Sequence, residues 1–238
     1  MTPQLPLALR YPPDQRFDTF VAAPDGALAQ LRALAHADGA DEPGERPDWI
    51  FLAGPAGVGK THLALATCAA ADASGRRAAY LPLKAAAGRL RAALDALEGN
   101  DVVALDDLDA IAGDRDDELA LFDFHNRARS AGLALLYAAQ ASPDALPLGL
   151  PDLRSRLGQC TRISLSPLGD DGRRTVLRER AHRRGLVLDE AALEWLLRRV
   201  GRDLAGLTAL LDQLDRASLA AQRRITVPFL RMTLGAEQ

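Results

Sequence analysis

The stretch with the clearest chemistry is Gly54-Pro55-Ala56-Gly57-Val58-Gly59-Lys60-Thr61, which satisfies G-x-x-x-x-G-K-[ST] at every fixed position. Glycines at this spacing let successive backbone N–H groups turn inward around a phosphate. A helix starting beyond them adds the positive end of its dipole. Lys60 is placed to reach outer phosphates and Thr61 to hold Mg²⁺ through its hydroxyl, with His62 next on the same turn. The alternative is a glycine-rich turn with a chance lysine. Residue choice argues against it: the chain has two lysines, Lys60 and Lys84, against 27 arginines, and a compact ammonium stands where the pattern needs one.

A second acidic stretch complements the first. Val102-Val103-Ala104-Leu105 runs into Asp106-Asp107, which suits a parallel strand buried on both faces with carboxylates at its C-terminal end. Asp106 is the candidate Mg²⁺ ligand, and Asp107 the candidate to orient or polarise an attacking water. An ordinary acidic strand-to-loop turn is the plain alternative. Gln140, after another apolar run, could sense a terminal phosphate or cap the next turn.

The elements that must position these groups follow from periodicity. Trp49–Ala53 is a strand leading into the phosphate loop, and Lys60–Ala73 a helix closed by Gly75. Arg77–Leu83 reads as a strand and Ala85–Leu97 as one helix. Asp116–Ala131 reads as an amphipathic helix, with strands at Leu133–Ala139 and Thr161–Leu165. Pro151–Gly158 reads as a short helix with proline at its start and glycine past its end. Alternating strands and helices predict an α/β fold with a five-stranded parallel sheet. From Leu168 onward the pattern is helical only: Asp170–Arg184, Asp189–Val200, Asp203–Ala221 and Val227–Leu234 predict a small C-terminal all-helical lid. The expected organisation is a tail at 1–15, an α/β nucleotide-binding domain at 16–166 and the lid at 167–238.

Composition narrows the function classes. With 238 residues, 48% hydrophobic and 26% charged, the chain has an ordinary globular profile. A net charge of −3 argues against coating nucleic acid by charge alone, and the arginines of Arg173–Arg184 read chiefly as solvated helix surface. Two cysteines are too few for a disulfide framework, no leader precedes them and no apolar run spans a bilayer, so a reducing cytoplasm is expected. The four histidines lack metal-ligand spacing. The N-terminal Gln4-Leu5-Pro6-Leu7-Ala8-Leu9 is extended by its prolines. Its leucines either pack on the domain edge or lay alternate side chains into a partner's groove.

Several motifs in order resemble the AAA+ ATPases, and among them the DnaA-related family. They are Arg16-Phe17-Asp18-Thr19-Phe20-Val21-Ala22-Ala23-Pro24, the phosphate loop, Leu105-Asp106-Asp107, Phe124-His125-Asn126, Leu150–Leu157 and the helical lid. The tail, the Asp212–Ser218 helix and Ile225-Thr226-Val227-Pro228-Phe229 are most similar to its regulatory-inactivator branch, Hda. The resemblance implies an AAA+ fold, ADP or ATP with Mg²⁺ as cofactor, and docking of Gln4, Leu5, Leu7 and Leu9 on the DNA polymerase sliding clamp. It implies DnaA as partner and Arg156 as an arginine finger acting in trans on DnaA-bound ATP. DNA would be met only through the clamp, with no membrane contact and a possible homo-oligomer, at the replisome or nucleoid. Two departures matter. The chain begins at the ATPase domain and stops after the lid, so no DNA-reading domain is expected. The family's lid arginine is matched by Ala205; Arg202, one turn earlier, is the candidate substitute, and weak intrinsic hydrolysis follows if it fails. The rival readings are a helicase loader, a small P-loop kinase, and a non-catalytic nucleotide-gated adaptor at DnaA or the replication fork. Arg154, two residues before the finger, is expected on the surface, and a structural salt bridge is the plain alternative for Arg156.

Overall fold

The computed structural model describes residues 11–12, 15–21, 23–36, 49–199, 206, 210–211, 213–214 and 225–234. The chain forms two compact units, the first running to Leu165 apart from Ala56–Val58 and the second carrying the residues from Ser166 on.

Five parallel strands build the first unit: β1 Ile50–Ala53, β2 Ala78–Pro82, β3 Val102–Asp106, β4 Ala134–Ala139 and β5 Thr161–Ser164, in the order β2-β3-β4-β1-β5. The three central strands are buried at every residue, which is why they read as unbroken apolar runs. The edges β2 and β5 are only partly covered. Register pairs Phe51 with Tyr137 and Val103 with Leu135. These alternate side chains share one face of the sheet, where they meet Leu83, Leu90, Leu121, Phe124, Leu153 and Leu157 of the helices packed there. Helices α1 (Ala27–His36) and α2 (Lys60–Ala73) pack together, and α2 lies on β2, β3 and β4. Parallel strands place all their C-terminal ends along one rim, and the candidate residues at the ends of β1, β3 and β4 share it.

The expected single helix at Ala85–Leu97 is two: α3 Leu83–Ala86 and α4 Leu90–Asp95. Gly88 between them has φ 76°, which ends the first turn. The buried carboxylate of Asp117 then accepts from Gly88 N at 2.7 Å and Leu90 N at 3.3 Å, starting the second helix. Asp117 lies in α5 (Arg115–Ala131), which Asp114 caps through Asp116 N and Asp117 N. The short helix α6 spans Pro151–Gly158, with Leu153 and Leu157 buried; Gly158, expected past its end, is its last residue and Gln159 the C-cap.

Tyr137 is fully buried, so its hydroxyl needs a partner; His125 Nδ1 supplies it at 3.0 Å. Burial first, then the nearby Arg129 and Arg156 cations, push the His125 imidazole down to about 4. The neutral ring is favoured in the fold, while an unfolded histidine titrates near its ordinary 6.5. This contribution is therefore complete above pH ~6.5 and is lost as pH falls toward 4, by at most about 3 kcal/mol. Melting curves across that window should show the decline in the native chain and a flatter profile in His125→Phe.

The second unit contains α7 (Asp170–Arg183), α8 (Glu190–Arg199) and a last described helix, Val227–Leu234. Asp189 starts α8 by accepting from Ala192 N at 2.7 Å. The basic run is solvated but paired: Arg174 meets Glu190 and Glu194, and Arg178 meets Glu190. Such exposed pairs add little stability. Arg173 is the exception, buried against Asp170 and the Leu197 carbonyl. The expected Asp203–Ala221 helix lies largely outside the described residues, and so do Arg202 and Ala205. No helix among the described residues is long and apolar enough to cross a membrane.

Candidate functional site

The loop after β1 turns through Gly57 and Gly59, at φ 78° and 100°, before α2 begins at Lys60. Its base is fixed to the sheet by Gly54 N donating to Ala139 O at 3.2 Å. Lys60 is buried, and its ammonium donates to the carbonyls of Gly54 at 2.6 Å and Pro55 at 2.8 Å. An ammonium has three N–H donors, so one remains for an anion. Burial pulls the Lys60 pKa down; the carboxylates of Asp106, Asp109 and Asp107 oppose that shift.

Thr61 donates its hydroxyl hydrogen to Asp106 Oδ2 at 2.6 Å, which leaves the Thr61 oxygen lone pairs for a cation. Asp106, 1% exposed, also accepts from Tyr80 OH at 2.9 Å and from Asp107 N at 2.9 Å. Asp107 has φ 57°, the one positive φ among described non-glycine residues, and burial followed by Asp106 raises its carboxyl pKa. The charges of Lys84 and Lys60 pull it the other way. Gln140 stands exposed at the end of β4, its backbone N–H donating to Asp109 Oδ2 at 2.8 Å.

The donor set fits a phosphate with a divalent cation: a buried ammonium, the first-turn N–H groups at the start of a helix, and a hydroxyl–carboxylate pair. Among the described residues no group of three or more His, Cys, Asp or Glu could hold a metal alone. Mg²⁺ commonly takes one or two protein oxygens and completes its shell with phosphate and water, so this does not conflict with the fit.

His62 takes a position that the sequence did not disclose. Its Nε2 lies 2.8 Å from Arg16 O and 3.2 Å from Thr19 Oγ1. A carbonyl can only accept, so Nε2 carries the hydrogen. Phe20 stacks edge-on against the same ring and touches the loop: a Cβ on Gly59 would come within 2.6 Å of Phe20. The short Phe17–Thr19 turn is thereby strapped to the phosphate loop. Gly59→Ala should lower stability by about 2 kcal/mol, through positive φ and the collision together. In a thermal-melt cycle, Phe20→Ala should return only the collision's share. An additive cycle would mean that Phe20 and Gly59 do not touch in solution.

Arg156 lies in the last turn of α6, half-buried, and among the described residues its guanidinium meets no carboxylate. Arg154, expected on the surface, is instead half-buried, because its guanidinium donates to the Leu148 carbonyl before the helix. Gln4, Leu5, Leu7 and Leu9 lie outside the described residues. Residues that sequence reasoning missed are Tyr80, Asp109, Asp117 and Glu118. Each acts through a contact distant in sequence, and no local pattern marks it.

Residues 50–163 match the model of the ATPase family associated with various cellular activities (AAA), and residues 170–234 match that of the Hda lid domain. Among solved structures, domain III of the Thermotoga maritima replication initiation protein DnaA aligns with a TM-score of 0.77 at 19% identity, over 94% of this chain and 97% of that one. AMPPCP-bound DnaA from Aquifex aeolicus aligns at 0.69 and 18% identity, over 88% of this chain and 67% of that one. The Thermotoga maritima RuvB Holliday junction branch migration motor aligns at 0.66 and 21% identity, over 94% and 72%. At these identities the structural likeness establishes the fold.

Proposed function

Since the chain is a DnaA/Hda-related AAA+ ATPase, we propose that it binds ADP or ATP at residues 54–61 and acts as a clamp-associated negative regulator of replication initiation. In this reading Arg156 enters the nucleotide site of DnaA and promotes hydrolysis of DnaA-bound ATP. The observation that carries the proposal is the match of residues 170–234 to the Hda lid domain. The Arg156 guanidinium, which meets no carboxylate among the described residues, supports it.

Within the chain's own site, Lys60 pairs with outer phosphate oxygens, and the Gly54–Gly59 backbone with His62 shapes the cradle. Mg²⁺, when bound, neutralises charge on the phosphates, and Thr61 and Asp106 are the residues to hold it. Asp107 orients a water, Gln140 senses the terminal phosphate, and Arg202 stands in for the lid arginine replaced by Ala205. Without a full lid contact, intrinsic hydrolysis is weak, and bound nucleotide serves to order the chain. Gln4, Leu5, Leu7 and Leu9 bring the protein to the sliding clamp, in the cytoplasm at the replisome.

The test is ATP hydrolysis by DnaA with clamp-loaded DNA, with and without this protein. Faster conversion to ADP supports the regulator. Binding to both partners with an unchanged rate identifies an adaptor instead. A clamp pull-down comparing the native chain with Gln4→Ala/Leu7→Ala tests the tail separately: equal capture by both removes the docking assignment.

A further inference from the structure

Glu118 sits in the first turn of α5 and is 1% exposed. A buried carboxylate is costly unless donors fill its oxygens. Three backbone N–H groups do so: Gly113 donates to Oε1 at 2.7 Å, Gly149 to Oε1 at 2.9 Å and Leu150 to Oε2 at 2.7 Å. The donors come from two places. Gly113, at φ 90°, closes the turn that leaves β3 through Asp106, Asp107 and Asp109. Gly149 and Leu150 are the last residues before α6, and Leu150 is its N-cap.

Beside the Arg154 guanidinium on the Leu148 carbonyl, that N-terminus has no side-chain cap of its own. Leucine offers no capping side chain, and Pro151 at the first helical position has no N–H. Glu118 supplies the negative charge that a helix start favours and fixes where the chain enters the helix. Along α6 the buried Leu153 and Leu157 set the depth of packing. They act on one stripe, and the entry point sets the rotation and pitch of everything after it. Arg156 is on that helix, in its last turn.

We propose that Glu118 is a positioning residue for Arg156, its carboxylate tying the helix that carries the guanidinium to the turn leaving the acidic strand. The inference rests on the reading of Arg156 as a finger acting on DnaA-bound ATP. A glutamine at 118 keeps the shape but has one acceptor oxygen and turns an N–H toward at least one donor. An aspartate keeps the charge but falls short by one methylene.

The experiment compares Glu118→Gln, Glu118→Asp and Arg156→Ala with the native protein. It measures the maximal stimulation of DnaA ATPase, the concentration giving half of it, the chain's own nucleotide Kd and amide exchange. The expected result for Glu118→Gln is a maximal stimulation at least tenfold lower. Half-saturation and nucleotide Kd should stay within twofold, and exchange should quicken at Gly113, Gly149 and Leu150 while the central strands stay protected. Full maximal stimulation with those amides opened would overturn the inference, and so would loss of cooperative melting in both Glu118 variants, which would make Glu118 a residue of the fold. Undiminished stimulation by Arg156→Ala would instead overturn the finger reading itself, whatever the Glu118 variants do.

Discussion

Arg156→Ala abolishes stimulation of DnaA-bound ATP hydrolysis, by roughly 10³-fold or more, while the protein stays folded and keeps its nucleotide. The size follows from the role: an arginine supplied in trans to a transferring phosphoryl group contributes about 10³–10⁵ in rate. The selectivity follows from the structure. Leu153 and Leu157, not Arg156, bury α6, and among the described residues the guanidinium has no carboxylate to abandon. Truncating a half-buried side chain without a buried partner changes stability by about 1 kcal/mol or less. The substitution carries its own control, because after burial and Arg129 the Arg156 cation also lowers the His125 pKa. Its removal should raise the His125 pKa, measurable by NMR, and confirm that the guanidinium lay where the structure has it. Arg156→Lys should recover only part of the stimulation, since an ammonium keeps the charge but not the planar fork. Near-native stimulation by Arg156→Ala would leave the finger assignment without support.

What could be read from the chain alone divides along a physical line. β1, β3 and β4 were legible because strands buried on both faces need continuous apolar runs. Helix α6 was legible because proline stands at its start, though its end falls one residue beyond the one glycine suggested. The strand order was not, since it depends on pairing between residues far apart, such as Ile50 with Thr161. The break at Gly88 was missed because leucine spacing continues across it and the group that enforces it, Asp117, belongs to a later helix. Arg154 was misplaced for a related reason: a charged residue in a polar helix reads as exposed until the Leu148 carbonyl is known to wait for it. At the site, Lys60, Thr61 and Asp106 were named by pattern and lie together. Tyr80, Glu118 and the contacts of His62 with Arg16 and Thr19 answer to no local pattern. They exist because buried polar groups must find partners wherever the fold brings them.

Lys60→Ala should weaken nucleotide binding about 10²-fold, the equivalent of losing one or two charge-assisted contacts of ~1.5–3 kcal/mol each. The effect on the ligand-free protein should be far smaller. Burial already disfavours the Lys60 ammonium, shifting its pKa down against the pull of Asp106, Asp109 and Asp107. Its removal relieves that cost while depriving the Gly54 and Pro55 carbonyls of a donor, and the two changes oppose each other. The contrast is measurable in a single titration of melting temperature against nucleotide. At a concentration near 100 times the native Kd, bound ligand stabilises the native chain by about 2.7 kcal/mol and a hundredfold weaker variant by only ~0.4 kcal/mol. The two melting curves should therefore nearly coincide without nucleotide and separate as it is added. If Lys60→Ala kept the ligand-induced shift, the ammonium would be serving the loop carbonyls alone. If instead the variant melted early even without ligand, those carbonyl contacts would be its main contribution. Either result would move the centre of phosphate recognition from Lys60 to the first-turn N–H groups of α2.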